Sequence, residues 1–150
     1  MDAARPLQIC LLNRSGKADK LKPRVLIVDD DRAITQQLFW TLCDDFEVVT
    51  ANDLQSALRR ATVYEPEVSI LDLHLPPMPD SRETGIQILE FIKSHFPKSR
   101  VLIVSSDATA ETQQACLESG ADGFFDKPFE IAELVSALHR YAPEHRLDLA

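Results

Sequence analysis

The stretch Val25-Leu26-Ile27-Val28-Asp29-Asp30-Asp31 decides how this chain is read. Four apolar residues follow one another without polar alternation, and most are β-branched. A strand with one wet face would alternate. An unbroken run ended abruptly by charge is the pattern of a strand buried on both faces, as in a parallel sheet. Further strands are read downstream, at Phe46–Ala51 (FEVVTA), Val68–Leu73, Val101–Val104 (VLIV) and Gly123–Asp126 (GFFD). Between these runs the apolar spacing changes to that of a helix face. Ile34, Leu38 and Leu42 make the first stripe. Leu54, Ala57, Leu58 and Ala61 make the second, with Asn52 or Asp53 as its cap. Ile86, Leu89, Ile92 and Phe96 make the third. Thr109–Ser119 is a weaker helix of small residues ended by Gly120, and Ile131, Leu134, Val135 and Leu138 make the last stripe.

Strands that alternate with helices, with no hairpin signal between strands, predict an α/β fold: a doubly wound, five-stranded parallel sheet with helices on both faces. The flavodoxin-like strand order 2-1-3-4-5 is the expected winding. The domain is placed at residues 23–141. Residues 1–22 read as a flexible leader rich in Lys and Arg, and 142–150 as a short polar tail. An initial Met and a leader of its own favour a stand-alone protein over a fragment of a larger regulator.

Composition narrows the function. The 150 residues suffice for one domain with a proper core. Sixteen basic against 24 acidic residues leave a net charge of −8, which argues against a nucleic-acid-binding surface. No apolar run approaches a membrane span, and Ile9–Leu12 is too short for a signal-peptide core. The three cysteines, Cys10, Cys43 and Cys116, make no metal-ligand pattern and read as free thiols of a cytoplasmic protein. The four glycines form neither a dinucleotide fingerprint nor a P-loop.

In a doubly wound sheet the functional groups lie at the carboxyl ends of the strands, beside the switch point between strands 1 and 3. Strand 1 ends in Asp29-Asp30-Asp31 and strand 3 in Asp72. Strand 4 ends in Ser105-Ser106 and strand 5 in Asp126-Lys127-Pro128. Taken singly, an Asp after a strand is usually a turn or a helix cap. Taken together, four strand ends deliver clustered carboxylates, a hydroxyl and a lysine to one rim. Carboxylates gathered this way resist ionisation unless a cation joins them. A few hard oxygen ligands with room for water suit Mg²⁺. Such a set matches phosphoryl transfer, with an Asp carboxylate able to act as nucleophile.

These residues resemble the receiver domain of two-component response regulators. The resemblance rests on VLIVDDD (Val25–Asp31), ILDLHLP (Ile70–Pro76), VLIVSSDA (Val101–Ala108) and GADGFFDKPF (Gly120–Phe129), and covers about Arg24 to Tyr141. It implies that Asp72 is the phosphoacceptor. Asp30 would be a direct Mg²⁺ ligand, Asp29 a second acidic ligand often acting through water, and the backbone carbonyl of His74 would complete the set with Asp72. Ser105 would swing towards the phosphoryl group, Lys127 would pair with the aspartate or its phosphate, and Phe124 would be the aromatic switch. The Lys127–Pro128 bond would be cis. The phosphoryl donor would be a phosphohistidine on a histidine kinase or phosphotransfer protein, with acetyl phosphate as a small substitute. Output would pass through the face of helix 4, strand 5 and helix 5 to a protein target, as a monomer or a phosphorylation-dependent homodimer, without nucleic acid or membrane. The molecule would be a switch and not a conventional enzyme.

Two departures stand out. Pro76-Pro77-Met78 is followed by Pro79-Asp80-Ser81-Arg82-Glu83-Thr84 before Gly85, about five residues more than the common receiver loop. Phe124 lacks the hydroxyl of a Tyr switch. His74, Ser106 and Asp107 sit where side chains surround the attacking water in this family. His95, His139 and His145 read as surface residues, and Trp40 falls off the apolar stripe of its helix. Two other readings compete with a phosphoacceptor: a receiver-like binding module that is not phosphorylated, and an aspartyl phosphohydrolase of the haloacid-dehalogenase type. The complete acidic, Ser and Lys set speaks against the first, and Arg32-Ala33 after the aspartates against the second.

Overall fold

A computed structural model describes residues 22–142, so the leader and the tail fall outside the described residues apart from Lys22 and Ala142. Strands β1 (Arg24–Val28), β2 (Glu47–Ala51), β3 (Val68–Leu71), β4 (Arg100–Ser105) and β5 (Gly123–Asp126) alternate with helices α1 (Arg32–Leu42), α2 (Leu54–Tyr64), α3 (Glu83–His95), α4 (Ala110–Glu118) and α5 (Ile131–Tyr141). The strands form one sheet in the order β2-β1-β3-β4-β5, and every pairing is parallel. This is the expected flavodoxin-like winding.

Strand geometry explains the two cores. Successive side chains point to opposite faces. Val25 and Ile27 therefore join Leu38, Leu42, Leu134 and Leu138 from α1 and α5. Leu26 and Val28 join Ala57, Ala61, Leu89 and Ile92 from α2 and α3, with Cys116 from α4. β1 is wholly buried along its apolar run because it contributes to both cores. β5 lies at the edge and is only partly covered, so it is less enclosed than the unbroken-run pattern suggests.

Local chemistry sets the helix ends. Asp31 caps α1 by accepting from the backbone N–H groups of Ala33 and Ile34. Of the two candidate caps for α2 it is Asp53 that serves, in a capping box with Ser56. Its Ser56 hydrogen bonds hold the Asp53 carboxyl below the usual carboxylate range. At the far end of α4, Gly120 has φ of +108°. Gly120 donates its backbone N–H to Leu117 and Ala121 donates to Cys116, closing a Schellman motif. Lys22 reaches the end of α1, donating to the Cys43 carbonyl at 3.0 Å. Trp40 is exposed, as its position off the stripe implies. Cys43 and Cys116 are buried. Among the described residues, no helix is long and apolar enough to cross a membrane.

The strand ends opposite the candidate site are tied by Asp122. Its carboxylate accepts from Lys93 of α3, Arg100 and the Val101 backbone N–H, and its carbonyl accepts from the Tyr141 hydroxyl. That rim is a structural knot. It leaves the carboxyl ends of the strands for chemistry.

Candidate functional site

Val28 of β1 is paired with Leu71 of β3, so the next residues of each strand arrive side by side at the rim. Asp29 donates its backbone N–H to Ala51, and Asp72 donates its own to Val28. Both aspartates are thus anchored by extensions of the sheet ladder. Asp29 is 5% exposed and Asp72 7%, whereas Asp30 is exposed. One carboxylate oxygen from each of the three lies within 4.8 Å of the others. The third aspartate of the run does something different, because Asp31 is committed to capping α1. Its backbone N–H in turn holds Asp29 Oδ1 at 2.9 Å.

Lys127 enters from the end of β5, and its backbone N–H donates to the Ser105 carbonyl at 3.0 Å. Its ammonium lies 2.8 Å from Asp29 Oδ2 and 3.5 Å from Asp72 Oδ2. The closer partner is therefore Asp29, not the aspartate named first by the family resemblance. The Lys127–Pro128 bond is cis, as the resemblance implies, and so is Pro76–Pro77, which the sequence reading did not foresee.

The electrostatics follow from burial and charge count. Burial, followed by the neighbouring Asp29 charge, pushes the Asp72 carboxyl above its ordinary value, although Lys127 and the backbone N–H groups of His74 and Leu73 pull the other way. Burial also opposes the charged form of Lys127. The hydrogen bond and charge of Asp29, aided by Asp72, outweigh it and raise the ammonium's pKa. Two of the three clustered carboxylates, Asp29 and Asp72, thus share one lysine. The donors are hard oxygens from distinct chain segments, two of them buried, and they remain short of positive charge. A small divalent cation is what this donor set fits.

Tight backbone packing fixes the Asp72 end of β3. A Cβ on Gly85 would fall 2.4 Å from the Leu73 Cα and 2.9 Å from the Asp72 carbonyl oxygen. Gly85 also donates its N–H to the Leu73 carbonyl. Only glycine lets α3 begin this close to the strand end.

Ser105 is fully buried, and its Oγ accepts the Asp107 backbone N–H at 3.0 Å. Phe124 is half-buried and packs with the α2–α3–α4 core. The His74 ring lies between the loop and the β4–α4 turn, with Nδ1 3.1 Å from the Pro79 carbonyl and Nε2 3.4 Å from Asp107 Oδ2. Asp107 is engaged by Thr109 and Thr112, and these hydrogen bonds, against a raising effect of burial, hold its carboxyl below the usual range. Arg82 also reaches this group, donating to Thr112 Oγ1 at 3.0 Å. Sequence reasoning missed Arg82 altogether, because nothing in its spacing connects residue 82 with residue 112. Ser106 is exposed, as are His95 and His139, while His145 lies outside the described residues.

A parallel 2-1-3-4-5 sheet with buried aspartates at its switch point and a lysine facing them defines the receiver class of signalling domains. The response regulator receiver domain model matches residues 25–139, and the chain belongs to that family. Its curated relatives include the transcriptional regulatory protein PrrA of Mycobacterium tuberculosis, 36% identical over 115 residues, which are 76% of this chain and 47% of that protein. The cell cycle response regulator CtrA of Brucella ovis is 32% identical over 117 residues, 77% of this chain and 48% of that protein. The chain spans about half the length of these relatives. Among solved structures, the chemotaxis protein CheY4 of Vibrio cholerae superposes with a TM-score of 0.71 at 31% identity, covering 80% of this chain and 98% of that one. The non-phosphorylated HemR receiver domain of Leptospira biflexa gives 0.72 at 28% identity, covering 83% and 98%.

Proposed function

We propose that this chain is a phosphoacceptor switch of a two-component phosphorelay, with Asp72 as the residue modified. The observation that carries this reading is the Asp29–Asp30–Asp72 cluster, with oxygens within 4.8 Å and Lys127 paired with Asp29 and Asp72. An Asp72 carboxylate oxygen attacks the phosphorus of a partner's phosphohistidine. The new P–O bond forms as the P–N bond breaks, and the imidazole leaves with the electron pair and takes up a proton. The product is an acyl phosphate, later hydrolysed by water to restore the carboxylate. Asp29, Asp30, Asp72 and the His74 carbonyl are the proposed holders of Mg²⁺, which supplies neutralisation of the phosphoryl oxygens when bound. Lys127 provides a positive charge to the same oxygens, and the Ser105 hydroxyl a hydrogen bond.

Phosphorylation adds up to about two negative charges and strong acceptors. Ser105 and Lys127 close on them, Phe124 turns inward, and the face of α4, β5 and α5 changes for its protein target. The protein is read as a cytoplasmic switch served by a histidine kinase or phosphotransfer protein, not as a conventional enzyme. The receiver domain itself is read as touching neither nucleic acid nor membrane.

Intact mass after incubation with acetyl phosphate and Mg²⁺ tests this. One phosphoryl adduct is expected in the wild type and none in Asp72→Asn or in the presence of a chelator. A wild-type protein left unmodified by acetyl phosphate and by a competent histidine kinase would favour a binding module that works without phosphorylation.

A further inference from the structure

The residues inserted between β3 and α3 are not a loose surface loop. The Pro76 carbonyl accepts the Leu54 backbone N–H at the start of α2, and the Pro79 carbonyl meets the His74 ring. Ser81 closes a turn by donating its N–H to the Met78 carbonyl. The segment delivers Arg82 to the N-cap position of α3, where its side chain makes no cap hydrogen bond. That side chain crosses instead to α4. Nη1 donates to Thr112 Oγ1 at 3.0 Å, and Nη2 stands 3.6 Å from Glu111. Thr112 is buried, and its hydroxyl donates onward to Asp107 Oδ2 at 3.0 Å. The Thr109 hydroxyl donates to the other Asp107 oxygen, Oδ1, at 3.2 Å. The Asp107 backbone N–H then donates to Ser105 Oγ. Hydrogen bonds, joined through the covalent frame of Asp107, therefore run from the inserted segment to the hydroxyl at the end of β4.

We propose that Arg82 is a positioning residue that latches the β4–α4 turn and so holds the Ser105 hydroxyl in its present rotamer. The inference rests on the phosphoacceptor reading for its consequence. For Oγ to move towards the carboxylates, the Asp107 N–H bond must break or the turn must move with it. The carboxylate of Asp107, fixed by Thr109 and by the Arg82-held Thr112, resists that movement. A ligand that draws Ser105 inward must displace the latch, so its apparent affinity is reduced by the fraction of molecules that stay latched. The guanidinium's fixed fork suits such a hold better than a flexible ammonium would.

The test is a double-mutant cycle of Arg82→Gln, Thr112→Val and the pair, in the full chain. Backbone hydrogen exchange over residues 106–112 reads the latch without phosphorylation. Each single change is expected to speed exchange several-fold, and the pair to be no faster than the quicker single. Calorimetric titration with beryllofluoride and Mg²⁺ reads the consequence, with roughly three- to tenfold tighter binding expected in Arg82→Gln. Glu111→Gln, an exposed partner at 3.6 Å, is expected to change neither. Unchanged or additive exchange effects would overturn the latch, as would weaker beryllofluoride binding in Arg82→Gln. If the wild type binds no beryllofluoride, the phosphoacceptor reading has failed, and the exchange cycle by itself decides whether the latch exists.

Discussion

At the scale of single residues, the pocket is a compromise between packing and charge. Asp72 is buried beside Asp29, and both burial and that neighbour disfavour its ionised form. Its stabilising contribution, whole below the ordinary carboxylate value of 3.8, is lost as pH rises through the raised folded value. Asp72→Asn is therefore expected to raise the melting temperature of the metal-free protein by roughly a few degrees near neutral pH, with the gain shrinking in acid. Thermal unfolding at a series of pH values checks this, and Mg²⁺ should narrow the gap by stabilising only the wild type. Lys127 is the opposite case, because among the described residues it is the one ammonium at hydrogen-bonding or ion-pair distance from Asp29 and Asp72. Lys127→Met leaves two buried carboxylates without it and should cost about 2 kcal/mol, measured by urea unfolding. The sequence made the identity of these residues legible, since each ends an apolar run. It could not show that Asp29 is the nearer partner of Lys127, because that depends on how two strand ends three positions apart in the sheet are angled.

At the scale of elements, two glycines carry geometry that no other residue can. Gly85→Ala would drive a methyl group into the Leu73 backbone and the Asp72 carbonyl. Neither is a flexible side-chain end, so the expected cost is about 3 kcal/mol, with weaker Mg²⁺ binding as Asp72 is displaced. Denaturant unfolding and metal titration on the same sample check both. Gly120→Ala meets a positive φ and the Lys93 side chain, and should cost about 1 kcal/mol without touching the metal affinity. Element positions were legible because apolar runs and helical stripes are local signals. Their ends were less so. β3 stops at Leu71 where the run read from sequence continues to Leu73, since Asp72 still donates to Val28 of β1 but the Leu73 carbonyl is taken by Gly85 of α3. β1 and β4 each begin one residue earlier than the apolar run, at Arg24 and Arg100, because ladder pairing does not require an apolar side chain. Phe39 and Ile88 are buried beside the stripes named from sequence, because the core-facing arc of a helix is wider than a strict four-residue repeat.

At the scale of the whole molecule, the sheet divides labour between its two rims. The Asp122 knot with Lys93 and Arg100 fastens one end, and the other holds acidic groups at a cost in stability. The winding itself could be read from the sequence, since five alternating units leave few ways to place a parallel sheet. The Arg82 chain could not, because it joins residues 30 apart through side chains whose separate identities say nothing. On the proposed reading, the cluster of negative charge at the strand ends receives one more negative group, at Asp72. Borohydride reduction of the protein after treatment with acetyl phosphate and Mg²⁺, followed by peptide mass mapping, tests it most directly, because reduction converts an aspartyl phosphate to homoserine. Homoserine at position 72 and nowhere else is the predicted result. Homoserine at another aspartate, or none in a protein that has gained a phosphoryl group, would contradict it.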